Sequence, residues 1–286
     1  MIISEKFKNK RPIISFEIYP PKREEALRDI DETLKILCEL KPDYISVTFG
    51  AGGSSNNNKT IALAKKIKED YSDEPLVHLT CLTYNKNEID QFLRELQSQG
   101  LENILALRGD RNPNIAQKED FFHASELTTY IKKNGNFCVA GACYPEGHPE
   151  SPDMVSDIMN IKKKVEAGDA FLISQLFFEN EMFYNYVEKL RIAGVNVPVT
   201  AGIMPVINKA QIEKMVSVCG ASLPEKFKRI LTKFENNKEA LYDAGMAYAV
   251  NQVVDLLASD VDGIHLYTMN NPRVARKICE SIRNII

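Results

Sequence analysis

Short apolar runs alternate with longer stretches of helical period along the chain. The runs Ile13–Tyr19, Tyr44–Phe49, Leu76–Cys81, Ile104–Leu107, Phe137–Cys143, Ala170–Phe177, Val197–Ala201 and Gly263–Thr268 have strand length and few polar interruptions. Strands of this kind are buried on both faces, as in a parallel sheet. Between them, helices are predicted over Glu24–Leu40, Lys59–Lys68, Asn87–Gln99, Ala124–Lys133, Ser151–Ala167, Glu181–Ala193, Lys209–Val218, Pro224–Phe234, Lys238–Ala258 and Pro272–Ile285. Leu27, Ile30, Leu34, Leu37 and Cys38 mark the period in the first of them. Ser151-Pro152-Asp153 reads as a helix start with Ser151 as N-cap. This alternation, with no linker or low-complexity tract, is the order expected of a (β/α)8 barrel (a TIM barrel) forming a single domain over residues 1–286. An open doubly wound sheet is the competing architecture, but no Gly-x-Gly-x-x-Gly turn follows the first strand.

Polar residues gather where these strands end. The run Ile104–Leu107 stops at Arg108-Gly109-Asp110, a cation, a glycine and an anion at the edge where parallel α/β folds bind ligands. Taken alone, the tripeptide also suits a surface turn. Glu17, Thr48, His78, Tyr144, Gln175 and Tyr267 lie on or just after other strands. Glu17 stands between Phe16 and Ile18 in a core strand, so its carboxyl must be paired or take up a proton. Desolvation raises a carboxyl pKa by up to ~3–5 units, which suits a general acid. A buried salt bridge to a lysine or to Arg108 is the structural alternative. In the helix from Ser151, Val155, Ile158 and Val165 form an expected core stripe. Asp157, Asn160 and Lys164, with Lys163 beside them, share another face that suits a nucleotide's diphosphate and sugar hydroxyls.

Composition narrows the classes. The 286 residues are 44% apolar and 26% charged, an ordinary globular balance, and the net charge of −3 gives no electrostatic case for nucleic acid or membrane partners. The first residues show no signal-peptide pattern, and no apolar run approaches a membrane span. The 6 cysteines are scattered without a Cys-x-x-Cys pair, as expected of reduced thiols in a cytoplasmic protein, and the 4 histidines lack metal-ligand spacing, so no metal site is expected.

Four motifs carry a resemblance: Ser15-Phe-Glu-Ile-Tyr-Pro-Pro21, Ser46-Val-Thr-Phe-Gly-Ala51, Ala106-Leu-Arg-Gly-Asp110 and Tyr144-Pro-Glu-Gly-His-Pro-Glu150. With His78–Cys81, Asn160–Val165, Gly202–Val206 and Leu266–Asn270 at similar spacing, the chain resembles the methylenetetrahydrofolate reductase family of the short, bacterial type. The resemblance implies non-covalent FAD and a ping-pong reaction. NADH or NADPH reduces the flavin, which then converts 5,10-methylenetetrahydrofolate to 5-methyltetrahydrofolate. Glu17 falls on the family's general acid and Asp110 on its aspartate beside flavin and folate. For FAD the matching positions are Phe49, Ala51, His78, Arg108, Gly109, Asp110, Ala124, Tyr144, His148, Ser151, Asp157, Asn160, Lys163 and Lys164, and Thr48 lines the nicotinamide side. Gln175, Gln211, Met215, Tyr267 and Arg273 match substrate positions. Met215 replaces a phenylalanine of some relatives, and Asn271 replaces an arginine for which Arg273 is the nearby substitute. These departures bear on the donor, since some relatives use an electron-transfer subunit instead. A homo-oligomer or a complex with such a subunit is the expected assembly. The rival functions are a proline-dehydrogenase-like flavoenzyme and a flavoprotein that only relays electrons.

Overall fold

The computed structural model describes residues 1–9, 11–21, 27–49, 54–111 and 116–286. Eight parallel strands close in sequence order: β1 (Ile13–Ile18), β2 (Tyr44–Val47), β3 (Pro75–Thr80), β4 (Asn103–Leu107), β5 (Cys138–Cys143), β6 (Asp169–Ser174), β7 (Val199–Ile203) and β8 (Gly263–Tyr267). Around them lie α1 (Leu27–Glu39), α2 (Ser54–Tyr71), α3 (Lys86–Ser98), α4 (Ala124–Asn134), α5 (Met154–Ala167), α6 (Asn180–Ile192), α7 (Lys209–Cys219), α8 (Glu225–Phe234), α9 (Lys238–Ala258) and α10 (Pro272–Ile282). The expected (β/α)8 barrel is the observed fold. The expected start of the first helix at Glu24 lies outside the described residues, as does Gly50–Gly53.

Period-two alternation divides the strand residues between two environments. Ile14, Phe16, Ile18, Ile45, Val47, Val77, Leu79, Ile104, Ala106, Leu172, Ala201, Ile264 and Leu266 point outward and pack on the helices. Their neighbours point into the barrel. Near its amino-terminal end the interior is apolar, filled by Ile13, Tyr44, Leu76, Leu105, Ala140, Phe171 and Ile173. A short 3₁₀ segment, Ile3–Asn9, plugs that end; no apolar periodicity announces it. Asn103 fastens the plug, accepting from the Ile3 amide at 2.9 Å and donating to the Met1 carbonyl at 3.0 Å. Phe7 then lies 5.2 Å from Phe171, whose ring is 6.0 Å from that of Tyr44. With this end closed, polar side chains have only the carboxyl-terminal half of the interior.

Helix starts follow local chemistry. Asn85 and Glu88 form a capping box on α3, and Asn208, Asn237 and Asn271 cap α7, α9 and α10. The start of α5 corrects the sequence reading. Its N-cap is Asp153, which accepts from the Ser156 amide at 2.7 Å, whereas Ser151 lies in the preceding loop. Of the expected core stripe, Ile158 and Val165 pack against the core together with Ile161, whereas Val155 is 74% exposed. Among the described residues no helix is long and apolar enough to cross a membrane.

Phe171 joins the plug to the barrel interior, and its replacement would leave a cavity that the closed sheet cannot collapse. Phe171→Ala is expected to destabilise the fold by about 3–5 kcal/mol, read from the urea midpoint at constant slope.

Candidate active site at the carboxyl-terminal rim

Strand register places Glu17 in a polar layer above the apolar plug. It pairs with Ser46 of β2 on one side and Tyr267 of β8 on the other. Phe16 and Ile18 face outward, so the Glu17 side chain is not sunk among apolar groups; it keeps 19% of its surface exposed toward the barrel mouth. Two imidazoles flank it, His78 Nε2 at 3.6 Å and His265 Nε2 at 3.7 Å from Oε2. Burial pushes His78 down to about 4, so it is neutral near pH 7, and its Nε2 has no hydrogen-bond partner. The partners considered from sequence, a lysine or Arg108, are not those observed. Tyr267 donates to the Ser174 carbonyl at 2.8 Å across Gly202, where a side chain would strike both that carbonyl and the Tyr267 ring.

The β4 end supplies the charged part of the rim. Arg108 forms a fork-to-fork pair with Glu150, both contacts at 2.7 Å, with Arg111 at 3.8 Å. This pairing pulls the Glu150 carboxyl down to about 2. The Arg108 carbonyl accepts from the Cys81 and Leu82 amides, tying the β3 and β4 ends together. Gly109 has φ 89° and lies so close to Thr80 that an added Cβ would be 3.1 Å from its Cβ. Asp110 is exposed just beyond it, near enough to act electrostatically on Tyr144 and Arg108.

The loop after β5 is braced by Asp157. This buried carboxylate accepts from the His148 amide at 3.2 Å and from Ser151 Oγ at 3.1 Å, with Tyr186 Oη at 3.5 Å. His148 Nδ1 in turn accepts from the Glu150 amide, and its ring meets that of Tyr144 edge-on at 4.6 Å. A cleft of about 240 Å³ opens here beside Gly147, His148, Ser151 and Met154. The charged face expected on α5 is divided. Lys164 turns inward and donates to the Ala142 carbonyl at 2.8 Å, while Asn160 and Lys163 stay exposed, 3.4 Å apart.

The remaining candidates are spread more widely. Thr48 donates its amide to the Ile18 carbonyl, Phe49 packs edge-on against Tyr84 and Phe92, and Ala124 is buried at the start of α4. Ala51 lies outside the described residues. Gln175 follows β6 with its Oε1 accepting from the Leu176 amide at 2.8 Å. Gln211 is half-buried on α7, and Met215 packs against the apolar cluster that includes Leu176, Met204 and Phe227. Asn271 caps α10, and Arg273 holds its guanidinium 5.2 Å from the Tyr242 ring centroid. Glu17, His78 and Tyr267 thus share the interior, while Tyr144, His148, Arg108 and Asp110 share the rim. Sequence reading passed over Ser15, Ser46 and His265, which line the same interior layer. The available signal was period-two spacing from Glu17, Thr48 and Tyr267.

A family profile described as methylenetetrahydrofolate reductase matches residues 2–283. The chain belongs to the methylenetetrahydrofolate reductase family. It is 31% identical over 269 residues to 5,10-methylenetetrahydrofolate reductase of Escherichia coli, covering 94% of this chain and 90% of that one. It is 32% identical over 271 residues to methylenetetrahydrofolate reductase (NADH) 1 of Arabidopsis thaliana, covering 90% of this chain but 46% of the plant protein. Solved structures show the fold alone. A Mycobacterium tuberculosis tryptophan synthase chain superposes with TM-score 0.56 at 12% identity, covering 99% and 98% of the two chains. Dihydropteroate synthase from Xanthomonas albilineans gives TM-score 0.55 at 13% identity, covering 96% and 93%. As a methylenetetrahydrofolate reductase, the protein is an oxidoreductase of one-carbon folate metabolism.

Behind Lys164 lies a titrating group with a testable consequence. Asp169 is buried facing Gly141; Thr128 donates to its Oδ1 at 2.8 Å, and its Oδ2 has no partner. Burial lifts this carboxyl to about 7, against the pull of Lys164 and Thr128. The folded state therefore holds the Asp169 proton where the unfolded chain has released it, so this group lowers stability as pH rises from about 4 toward 7. Asp169→Asn is expected to flatten that decline in urea unfolding at stepped pH; a slope equal to wild type would contradict the assignment.

Proposed function

We propose that the protein reduces 5,10-methylenetetrahydrofolate to 5-methyltetrahydrofolate with FAD and a nicotinamide donor in a ping-pong sequence, with Glu17 as general acid. The supporting observation is the placement of Glu17: an inward carboxyl at a strand end, between two imidazoles, open to the barrel mouth. The NADH-named plant relative favours a nicotinamide donor. The family match favours folate reduction over the proline-dehydrogenase-like reading.

The rim chemistry fits a flavin dinucleotide. His78 offers a buried ring nitrogen without a partner, and Lys164 a cation drawn into the wall behind the rim. Arg108, His148, Ser151, Asp157, Asn160, Lys163 and Lys164 would hold diphosphate and sugar hydroxyls, with Thr48, Phe49, Ala51, Gly109, Ala124 and Tyr144 along the rings. Bound FAD would supply hydride transfer from donor to folate.

The protein groups handle the proton and the charge. The closed five-membered ring of the substrate accepts hydride poorly, whereas protonation in its N5/N10 region opens it to a reactive iminium. Glu17 delivers that proton from within the barrel, and a positioned acid of this kind contributes about 10²–10⁴ in rate. Asp110 places negative charge beside the developing cation. The amides of Gln175 and Gln211 orient the pterin, while Met215, Tyr267 and Arg273 complete the substrate side. Met215 gives an adaptable apolar surface rather than a flat π-face, so the donor ring is held with less stacking.

Glu17→Gln is expected to leave the flavin bound and reducible while slowing the folate half-reaction by about 10²–10⁴. Folate turnover at the wild-type rate would sink the role given to Glu17. Anaerobic mixing of the yellow protein with NADH, NADPH or reduced ferredoxin identifies the donor by flavin bleaching. Bleaching by ferredoxin alone would point to an electron-transfer subunit; a colourless protein without affinity for FAD would overturn the cofactor assignment.

A further inference from the structure

The seam between β1 and β8 closes the barrel, and its backbone ladder ends at the pair Glu17–Tyr267. Lower in this seam the side chains of Ser15 and His265 also meet, 2.8 Å apart. Beyond the last ladder pair, side chains of the β8 end take over from the backbone. The buried Thr268 donates its hydroxyl to the Glu17 carbonyl at 2.7 Å. Asn270 then grips the Tyr19 peptide groups from one side chain. Its Oδ1 accepts from the Tyr19 amide at 3.0 Å, and its Nδ2 donates to the Tyr19 carbonyl at 2.9 Å. A backbone amide only donates and a carbonyl only accepts, so this pair of contacts fixes which way the Asn270 amide faces.

The backbone turn that delivers this grip is strained. Met269 and Asn270 have φ 52° and 55°, a left-handed setting that asparagine tolerates and methionine rarely adopts. The Asn271 amide donates to the Thr268 carbonyl at 2.9 Å across the turn. On its other edge β1 needs no such device, because the Thr48 amide donates to the Ile18 carbonyl at 2.9 Å. The peptide groups just beyond Glu17 are therefore held from both neighbouring strands. Only rotation within the Glu17 side chain is left to aim its carboxyl into the barrel mouth.

We propose that Thr268 and Asn270 are positioning residues for the folate half-reaction. They hold the backbone beyond Glu17 so that its carboxyl keeps one height and direction in the mouth. This rests on the reading of Glu17 as a group that serves the folate half-reaction.

The first test needs no flavin. In the flavin-free protein, the Tyr19 amide is expected to be protected from hydrogen exchange in the wild type and to exchange faster in Asn270→Gly. Glycine suits the left-handed turn, so this variant removes the grip without adding strain. A wild-type Tyr19 amide without protection overturns the proposal. The second test is anaerobic and separates the half-reactions. In Asn270→Gly and in Thr268→Val, reoxidation of reduced flavin at saturating 5,10-methylenetetrahydrofolate is expected to slow by about 10–10²-fold, the loss that misplacement by about 1 Å brings. Flavin affinity and flavin reduction by the donor are expected to stay at wild-type values, and Thr268→Ser, which keeps the hydroxyl, to restore the folate rate. Equal slowing of both half-reactions means a merely structural role and overturns the proposal, as does an unchanged folate rate in both variants. Glu17→Gln separates the two readings: if it retains the wild-type folate rate, the role of Glu17 itself fails.

Discussion

One constraint underlies the molecule: a closed parallel barrel gives every inward side chain a fixed height, and Glu17 occupies the height where apolar filling gives way to polar groups. The carboxyl is set by pairing with β2 and β8, not by its own rotamer alone. A shift of one residue in β1 would turn Phe16 and Ile18 into the barrel and Glu17 out among the helices. The outward apolar residues of β1 oppose that slip, so core packing and the placement of the Glu17 carboxyl favour the same register.

The two ends of the interior are built by opposite means. At the amino-terminal end, the 3₁₀ plug, Asn103 and the Phe7–Phe171–Tyr44 stack exclude water with aromatic bulk. At the carboxyl-terminal end, closely spaced charges and hydrogen bonds hold loops that have little apolar material. Asp157 gathers the β5 loop through the His148 amide and the Ser151 hydroxyl, and Glu150 fixes Arg108 in a fork. The order of that rim comes from local polar contacts, which a charged ligand can exchange without disturbing the plug.

Glu150 illustrates the point. Its pairing with Arg108 occupies a guanidinium that the proposed function gives to the flavin, so on that proposal cofactor entry and the ion pair would draw on one cation. Lys164 is drawn into the wall behind β5, with Asp169 below it. These side chains form a charge pattern that a negatively charged ligand would redistribute rather than create.

Much of this was legible along the chain because apolar period and strand length are local properties. Eight strands, their alternation with helices and the concentration of chemistry at Arg108–Asp110 and around Glu17 follow from residues a few positions apart. The motifs also sufficed to indicate the family, since they include backbone-shaping residues such as Gly109 together with the groups they position. Local spacing did not give the start of α5. There Asp153 wins over Ser151 because it is Asp153 that caps the Ser156 amide, while the Ser151 hydroxyl is committed to Asp157. Nor did it give the partners of Glu17: His78 lies 61 positions away and His265 lies 248 away, and only barrel closure brings their imidazoles to one carboxylate. The plug, the Arg108–Glu150 fork and the Ser15–His265 pair have the same origin. Residue types along the chain decided which chemistry was available; closing the sheet decided which groups meet, because contacts between distant strands depend on register and enclosure rather than on sequence neighbours.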